Sequence, residues 1–111
     1  MAVANAPSVK FNPAPTQAPG AQGTDVSVTV VWANCVGVTS VDLTLYYFSV
    51  DNAGNFEWKA AAQRIIPTVL VNGNKAWTIP TALPAGTVFY CEVIVLKANN
   101  VVIIAADSNV F

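Results

Sequence analysis

None of the 111 residues is histidine, so the side chain that most often moves protons near neutral pH is missing. Serine and cysteine nucleophiles are ordinarily activated by an imidazole, and Ser-His-Asp or Cys-His schemes fail on that absence. Two cysteines, Cys35 and Cys91, cannot complete a zinc site by themselves. The six acidic residues, Asp25, Asp42, Asp51, Glu57, Glu92 and Asp107, lack the spacing of a calcium loop. No glycine-rich turn is set between a strand and a helix to cradle phosphate. Asp42 and Glu92 are the one carboxylate pair that strand alternation would put on a common face, as a glycosidase requires. Acidic residues on the solvent side of strands ordinarily serve solubility, and the expectation is a protein that is not an enzyme and carries no metal or cofactor.

Aromatic chemistry is better represented. Trp58 sits beside Asn52, Asn55 and Glu57 around a turn signal, a grouping suited to stacking on the apolar face of a sugar while neighbouring amides and carboxylates bond its hydroxyls. If Leu43, Leu45 and Tyr47 face a core with Phe89, Val93 and Val95, then Tyr46, Phe48, Tyr90, Glu92, Ile94 and Leu96 face outward. Contiguous exposed apolar area marks an interaction surface, unless a bulged strand or the segment from Val3 to Phe11 covers it. Trp32 and Trp77 are expected in the core.

The elements that would position these groups read as strands. Asp25 to Trp32 alternates Val26, Val28, Val30 and Trp32 against Ser27 and Thr29, and Ser40 to Asp51 repeats the pattern. Asp51-Asn-Ala-Gly-Asn55 turns the chain into a hairpin with Phe56 to Ala62, although Ala60 to Ala62 would also suit a helical turn. Ile65 to Val71 and Lys75 to Ile79 flank Asn72-Gly73-Asn74 and predict a second hairpin; Thr87 to Lys97 and Val101 to Phe111 flank Asn99-Asn100 and predict a third. Trp77 to Val95 reads as strand, proline-and-glycine corner, strand, a passage from one sheet to the other. Residues 1–23, with Pro7, Pro13, Pro15 and Pro19, read as a tail or linker in which Ser8 to Asn12 could pair as an edge strand. Residues 24–111 then form an all-β domain, a two-sheet antiparallel sandwich of the immunoglobulin or fibronectin-III kind with about seven strands.

Composition limits the partners. Apolar residues make up 54% and charged residues 10% of the chain, against about 25% charged in an ordinary globular domain. A net charge of −1, with five Lys and Arg scattered from Lys10 to Lys97, offers no field for nucleic acid. No apolar run approaches the roughly 20 residues of a spanning helix, so no membrane span is expected. Cys35 and Cys91 are separated by about the interval of an inter-sheet disulfide, but on this strand reading they fall at different heights; a bridge and two buried free thiols both remain open. Met1-Ala-Val-Ala-Asn-Ala-Pro lacks the basic start and apolar core of a secretory signal, which leaves a removed signal or a cytoplasmic location.

The Val28 to Trp32 strand, the Trp77-Thr-Ile-Pro-Thr-Ala-Leu-Pro-Ala-Gly86 segment and the closing Ser108-Asn-Val-Phe111 resemble a fungal cell-surface domain of the Ser/Thr-rich, lipid-anchored type. That domain is related to the N-terminal domain of yeast cell-wall β-glucan assembly proteins. The resemblance covers about residues 24–111. It implies a non-catalytic, extracellular, wall-associated sandwich, which would bind polysaccharide or self-associate through the aromatic face. The competing expectation is a subunit of an oligomeric or filamentous assembly, in which the arm Met1 to Gly23 or a sheet edge adds as a strand to a neighbour.

Overall fold

Period-two alternation produces what it predicts over the middle of the chain. In a computed structural model, which describes residues 5–111, Thr24–Ala33 is a strand whose Val26, Val28, Val30 and Trp32 are buried while Ser27 is exposed. Numbered in chain order, the strands are β1 (Ser8–Phe11), β2 (Thr16–Pro19), β3 (Thr24–Ala33), β4 (Val38–Val50), β5 (Phe56–Pro67), β6 (Gly73–Pro80), β7 (Phe89–Lys97) and β8 (Val101–Asp107). All pairings are antiparallel and make two sheets. In the first, β1 and β2 lie end to end along one edge of β3, and β6 takes the other edge. The second has the order β5-β4-β7-β8.

The inner faces meet in one core. Val26, Val28, Val30, Trp32 and Ile79 come from the first sheet, and Val41, Leu43, Leu45, Phe89, Cys91, Val93 and Val95 from the second. The indole N–H of Trp32 donates to Leu70 O at 2.8 Å, which satisfies its one polar group inside the core. Its ring lies so close to Gly73 that a Cβ there would stand 2.5 Å from Trp32 Cζ2. Gln17 of β2 donates to Thr87 O and Phe111 O at 2.8 and 3.2 Å, tying the N-terminal strands to the corner before β7 and to the last residue.

Several expectations are corrected. There are eight strands and not about seven, because the proline-rich segment supplies two: Ser8–Phe11 is the edge strand anticipated, and Thr16–Pro19 is a further one. β1 runs between Pro7 and Pro13 and contains no proline, and Pro19 is tolerated at the end of β2 because that strand is paired on one side only. Residues 1–4 of the expected tail lie outside the described residues. Ile65 to Ile79 is not a hairpin. Ile65 and Ile66 continue β5 in the second sheet, the chain crosses at 68–72, and β6 pairs with β3 in the first. Ala60 to Ala62 is strand and contains a bulge: Leu45 faces Ala62 and Tyr46 faces Ala60, so Ala61 is unmatched. The expected passage between sheets after Trp77 is present, with β6 in one sheet and β7 in the other.

Cys35 and Cys91 are free and buried, and no bridge joins them. The Val38 N–H donates to Cys35 O, whereas Cys91 pairs with Leu45 seven residues further along β4, about 23 Å at strand rise. That separation far exceeds the roughly 7 Å a disulfide spans. Burial raises the pKa of both thiols, that of Cys91 to about 12.

Candidate aromatic surface

The outer face of the second sheet assembles most of the aromatic residues singled out in the sequence. Tyr46 and Phe48 alternate on β4 with Leu45 and Tyr47, which point to or pack against the core. Tyr90, Glu92 and Ile94 alternate on β7 with Phe89, Cys91, Val93 and Val95 in the same way, and Trp58 opposes Phe48 from β5. Tyr46 and Tyr90 are direct cross-strand partners with ring centroids 4.9 Å apart and planes 15° from parallel. Near-parallel rings so close must overlap in an offset stack. Trp58 lies edge-on to Tyr90 at 4.7 Å and to Phe48 at 5.3 Å. Since β5 and β7 flank β4, their backbones are about 10 Å apart, so the Trp58 and Tyr90 rings meet above β4.

Sequence reasoning missed the fifth ring. Phe56 stacks on Phe48 at 5.3 Å and is 72% exposed, extending the row to the tip of the β4–β5 hairpin. Its signal was available: it stands two residues before Trp58 on the same strand, hence on the same face. Phe48 and Trp58 are each 39% exposed, so the row is open to solvent over much of its length. Neither β1 nor β2 covers it, because both are paired into the other sheet. Ile94, half-buried opposite Asp42, belongs to the same face beyond the rings.

The polar candidates divide. Asp51 organises the hairpin turn: its Oδ1 accepts from the N–H groups of Ala53 and Asn55 at 2.9 and 2.8 Å, and the Asn55 amide donates to Oδ2 at 3.2 Å. The backbone N–H of Asn55, first among these hydrogen bonds, holds the exposed Asp51 carboxyl below its ordinary pKa. Asn55 is therefore occupied in the turn, whereas Asn52 is exposed beside it. Glu92 opposes Thr44 on one side and Asp107 on the other, forming an acidic band next to the rings. Burial, then the charges of Tyr46, Asp107 and Glu92, raises the Tyr90 pKa, so its phenol remains a hydrogen-bond donor at neutral pH.

Asp42 and Glu92 do share this face, as neighbours on a diagonal between β4 and β7. Asp42 lies between Ile65 and Ile94, and its Oδ1 is buried without a hydrogen-bond partner. Trp32 is fully packed and Trp77 leans on the core, which leaves Trp58 as the indole on the open face.

Among the described residues no group of three or more Cys, Asp and Glu side chains is placed to hold a metal ion, and no helix is long and apolar enough to cross a membrane. No family model matches the chain, and no curated protein is significantly similar to it.

Proposed function

We propose that this chain is a non-catalytic sandwich of the immunoglobulin or fibronectin-III kind, extracellular or cell-wall-associated, that binds polysaccharide through the outer face of its four-stranded sheet. The observation that carries this reading is the continuous row of five rings, Phe56, Phe48, Trp58, Tyr90 and Tyr46, joined by centroid distances of 4.7 to 5.3 Å. A run of apolar rings with Glu92 on the same face and Asn52 exposed in the adjoining turn matches a ligand with apolar ring faces and peripheral hydroxyls, whereas Glu57, one residue out of step with Phe56 and Trp58, points to the other side of the sheet. Although each sheet has four strands, β1 and β2 share one edge of β3, so the first is three strands wide opposite four; that supports the fibronectin-like reading, and the resemblance noted in the sequence supports the wall location.

The test is co-sedimentation of the purified protein with insoluble β-glucan, chitin and cellulose. Pelleting with one of these that is lost in Trp58→Ala and reduced in Tyr46→Ala is the expected result. Unchanged pelleting in both variants, or none in the parent protein, would remove the polysaccharide.

A second reading, a subunit of an assembly built by strand addition, is favoured by a separate observation. The N-terminal strands are already paired within the chain, while β5 pairs on one side only over its length from Phe56 to Pro67. On this reading the sheet edge is the donor, and the arm is not.

A further inference from the structure

The free edge of β5 has a backbone and side-chain pattern that matches itself. The Phe48 N–H donates to Val88 O on the β7 side, whereas the Asp51 N–H donates to Asn55 O on the β5 side. Since N–H and C=O groups alternate sides along a strand, the inward-facing residues of β4 bond toward β5, and Lys59 and Glu57 answer them. The outward-facing residues of β5, Phe56, Trp58, Ala60, Gln63 and Ile65, then hold their backbone donors and acceptors toward the open edge.

We propose that a second copy of this chain adds to that edge. Its β5 runs antiparallel about a two-fold axis between Ala60 and Ala61, pairing Phe56 with Ile65, Glu57 with Arg64, Trp58 with Gln63 and Lys59 with Ala62. Two four-stranded sheets become one of eight. The inference rests on the assembly reading and gives it a surface and a register.

The bulge selects this register. In an uninterrupted strand, self-pairing about an axis perpendicular to the sheet joins residues an even number of positions apart, since partners must share a face. Ala61 is the extra residue, so Phe56 and Trp58 face outward before it and Gln63 and Ile65 after it. Faces now match only when partners lie an odd number of positions apart, as in the pairs above. Among such registers this one sets Glu57 against Arg64 twice. A shift of two residues one way would set Lys59 against Arg64, and the opposite shift would set Arg64 against Asn55.

The side chains have little to give up. Arg64 donates to its neighbour's carbonyl, Gln63 O, at 3.0 Å and meets no carboxylate among the described residues. Glu57 is held by Lys59 in an exposed pair at 3.5 Å, a contact of small worth in water. Phe56 and Ile65 are 72% and 58% exposed and would cover each other at both ends of the interface. The exposed Ala60 and Ala61 leave the centre open to close backbone approach. Charges on an edge strand ordinarily prevent indiscriminate pairing. Here Lys59 and Arg64 repel each other in one neighbouring register, Arg64 finds no carboxylate in the other, and Glu57 with Arg64 favours the complementary one.

The experiment is light scattering on the full chain over a concentration series, with Arg64→Glu, Glu57→Arg and the double exchange. A dimer is expected for the parent. Each single reversal places like charges opposite each other twice and should raise the dissociation constant roughly tenfold or more, and the double exchange should restore it. Circular dichroism on each variant separates dissociation from unfolding. As a register test, Glu57→Cys mixed with Arg64→Cys should give a covalent heterodimer under mild oxidation that neither gives alone. Oligomers indifferent to both reversals and lacking that cross-link would overturn the β5 register while leaving assembly standing. A parent that stays monomeric at every concentration would remove both.

Discussion

On the outer face of the first sheet, β3 presents Ser27 and Thr29 and β6 presents Asn74, Ala76 and Thr78. On the outer face of the second, the equivalent outward positions of β4, β5 and β7 hold Tyr46, Phe48, Trp58 and Tyr90. The inner faces of β3, β4 and β7 are alike, nearly all Val, Leu and Phe with Trp32 and Cys91. A sandwich requires apolar inner faces and leaves the outer ones free, and small hydroxyl-bearing residues make a stable, soluble exterior for a strand. The first sheet shows what the fold requires. Rings on the second are therefore additional to that requirement, and this excess is the ground for the contact role proposed for that face.

The comparison is sharpened most by substitutions on the inner side, where the two sheets should behave alike. Leu45 is fully buried one residue before the stacked Tyr46. Leu45→Ala should cost about 3 kcal/mol of unfolding free energy, measured by denaturant titration. A loss below about 1 kcal/mol would mean that the core does not close over β4, and the outward assignment of Tyr46 would fall with it.

The outer faces should then part company. Trp58→Thr removes edge contacts with Phe48 and Tyr90 but puts a strand-favouring β-branched residue in their place, so stability should drop by about 1 kcal/mol. Thr78→Ala on the opposite exterior should stay within about 0.5 kcal/mol. Binding or association should change in the first variant alone. Equal effects on association from the two faces would erase the distinction drawn between them.

The alternation that separates the faces was readable in β3, β4 and β7 because each runs for several residue pairs without interruption. The outward aromatic set followed directly from it. The reading failed where something other than a hydrophobic period governs the chain. In β5 the run Ala60 to Ala62 carries no contrast between faces, and the bulge at Ala61 reverses the parity, so Ile65 and Ile66 looked like the start of another strand. Asn72-Gly73-Asn74 carries a hairpin signal, yet Gly73 is needed because the Trp32 ring lies against it, and Asn72 Oδ1 accepts from the Asn34 N–H at 2.9 Å. Both are tertiary facts with no local sequence mark. In β2 the proline content masked a strand that needs only one paired side. Phe56 directly follows the Asp51 to Asn55 turn, whose amides carry the stronger local signal, and only the strand parity shared with Trp58 two residues on places it on the aromatic face.

The smallest expected effect concerns the hairpin tip that holds the exposed end of the aromatic row. The Asp51 carboxylate accepts N–H bonds from Ala53 and Asn55, and these bonds lower its pKa below the ordinary value of about 4. A lowered carboxyl pKa means the folded tip binds its proton less readily than the unfolded chain. Its contribution is complete above about pH 4 and is lost only as the pH falls through the lower, folded value. The backbone amide shifts of Ala53 and Asn55, followed by NMR from pH 6 to pH 2, should therefore titrate together with a midpoint below 4. The rest of the sheet should stay unmoved. A midpoint at or above 4 would mean that the carboxylate does not hold the turn, and Phe48 and Phe56 would then be kept in contact by their stacking alone. A low midpoint would instead mean that the carboxylate keeps its bonds to the Ala53 and Asn55 N–H groups throughout the neutral range. The turn that presents Phe56, the exposed end of the row, would then be fixed by the carboxylate independently of the stacking on Phe48.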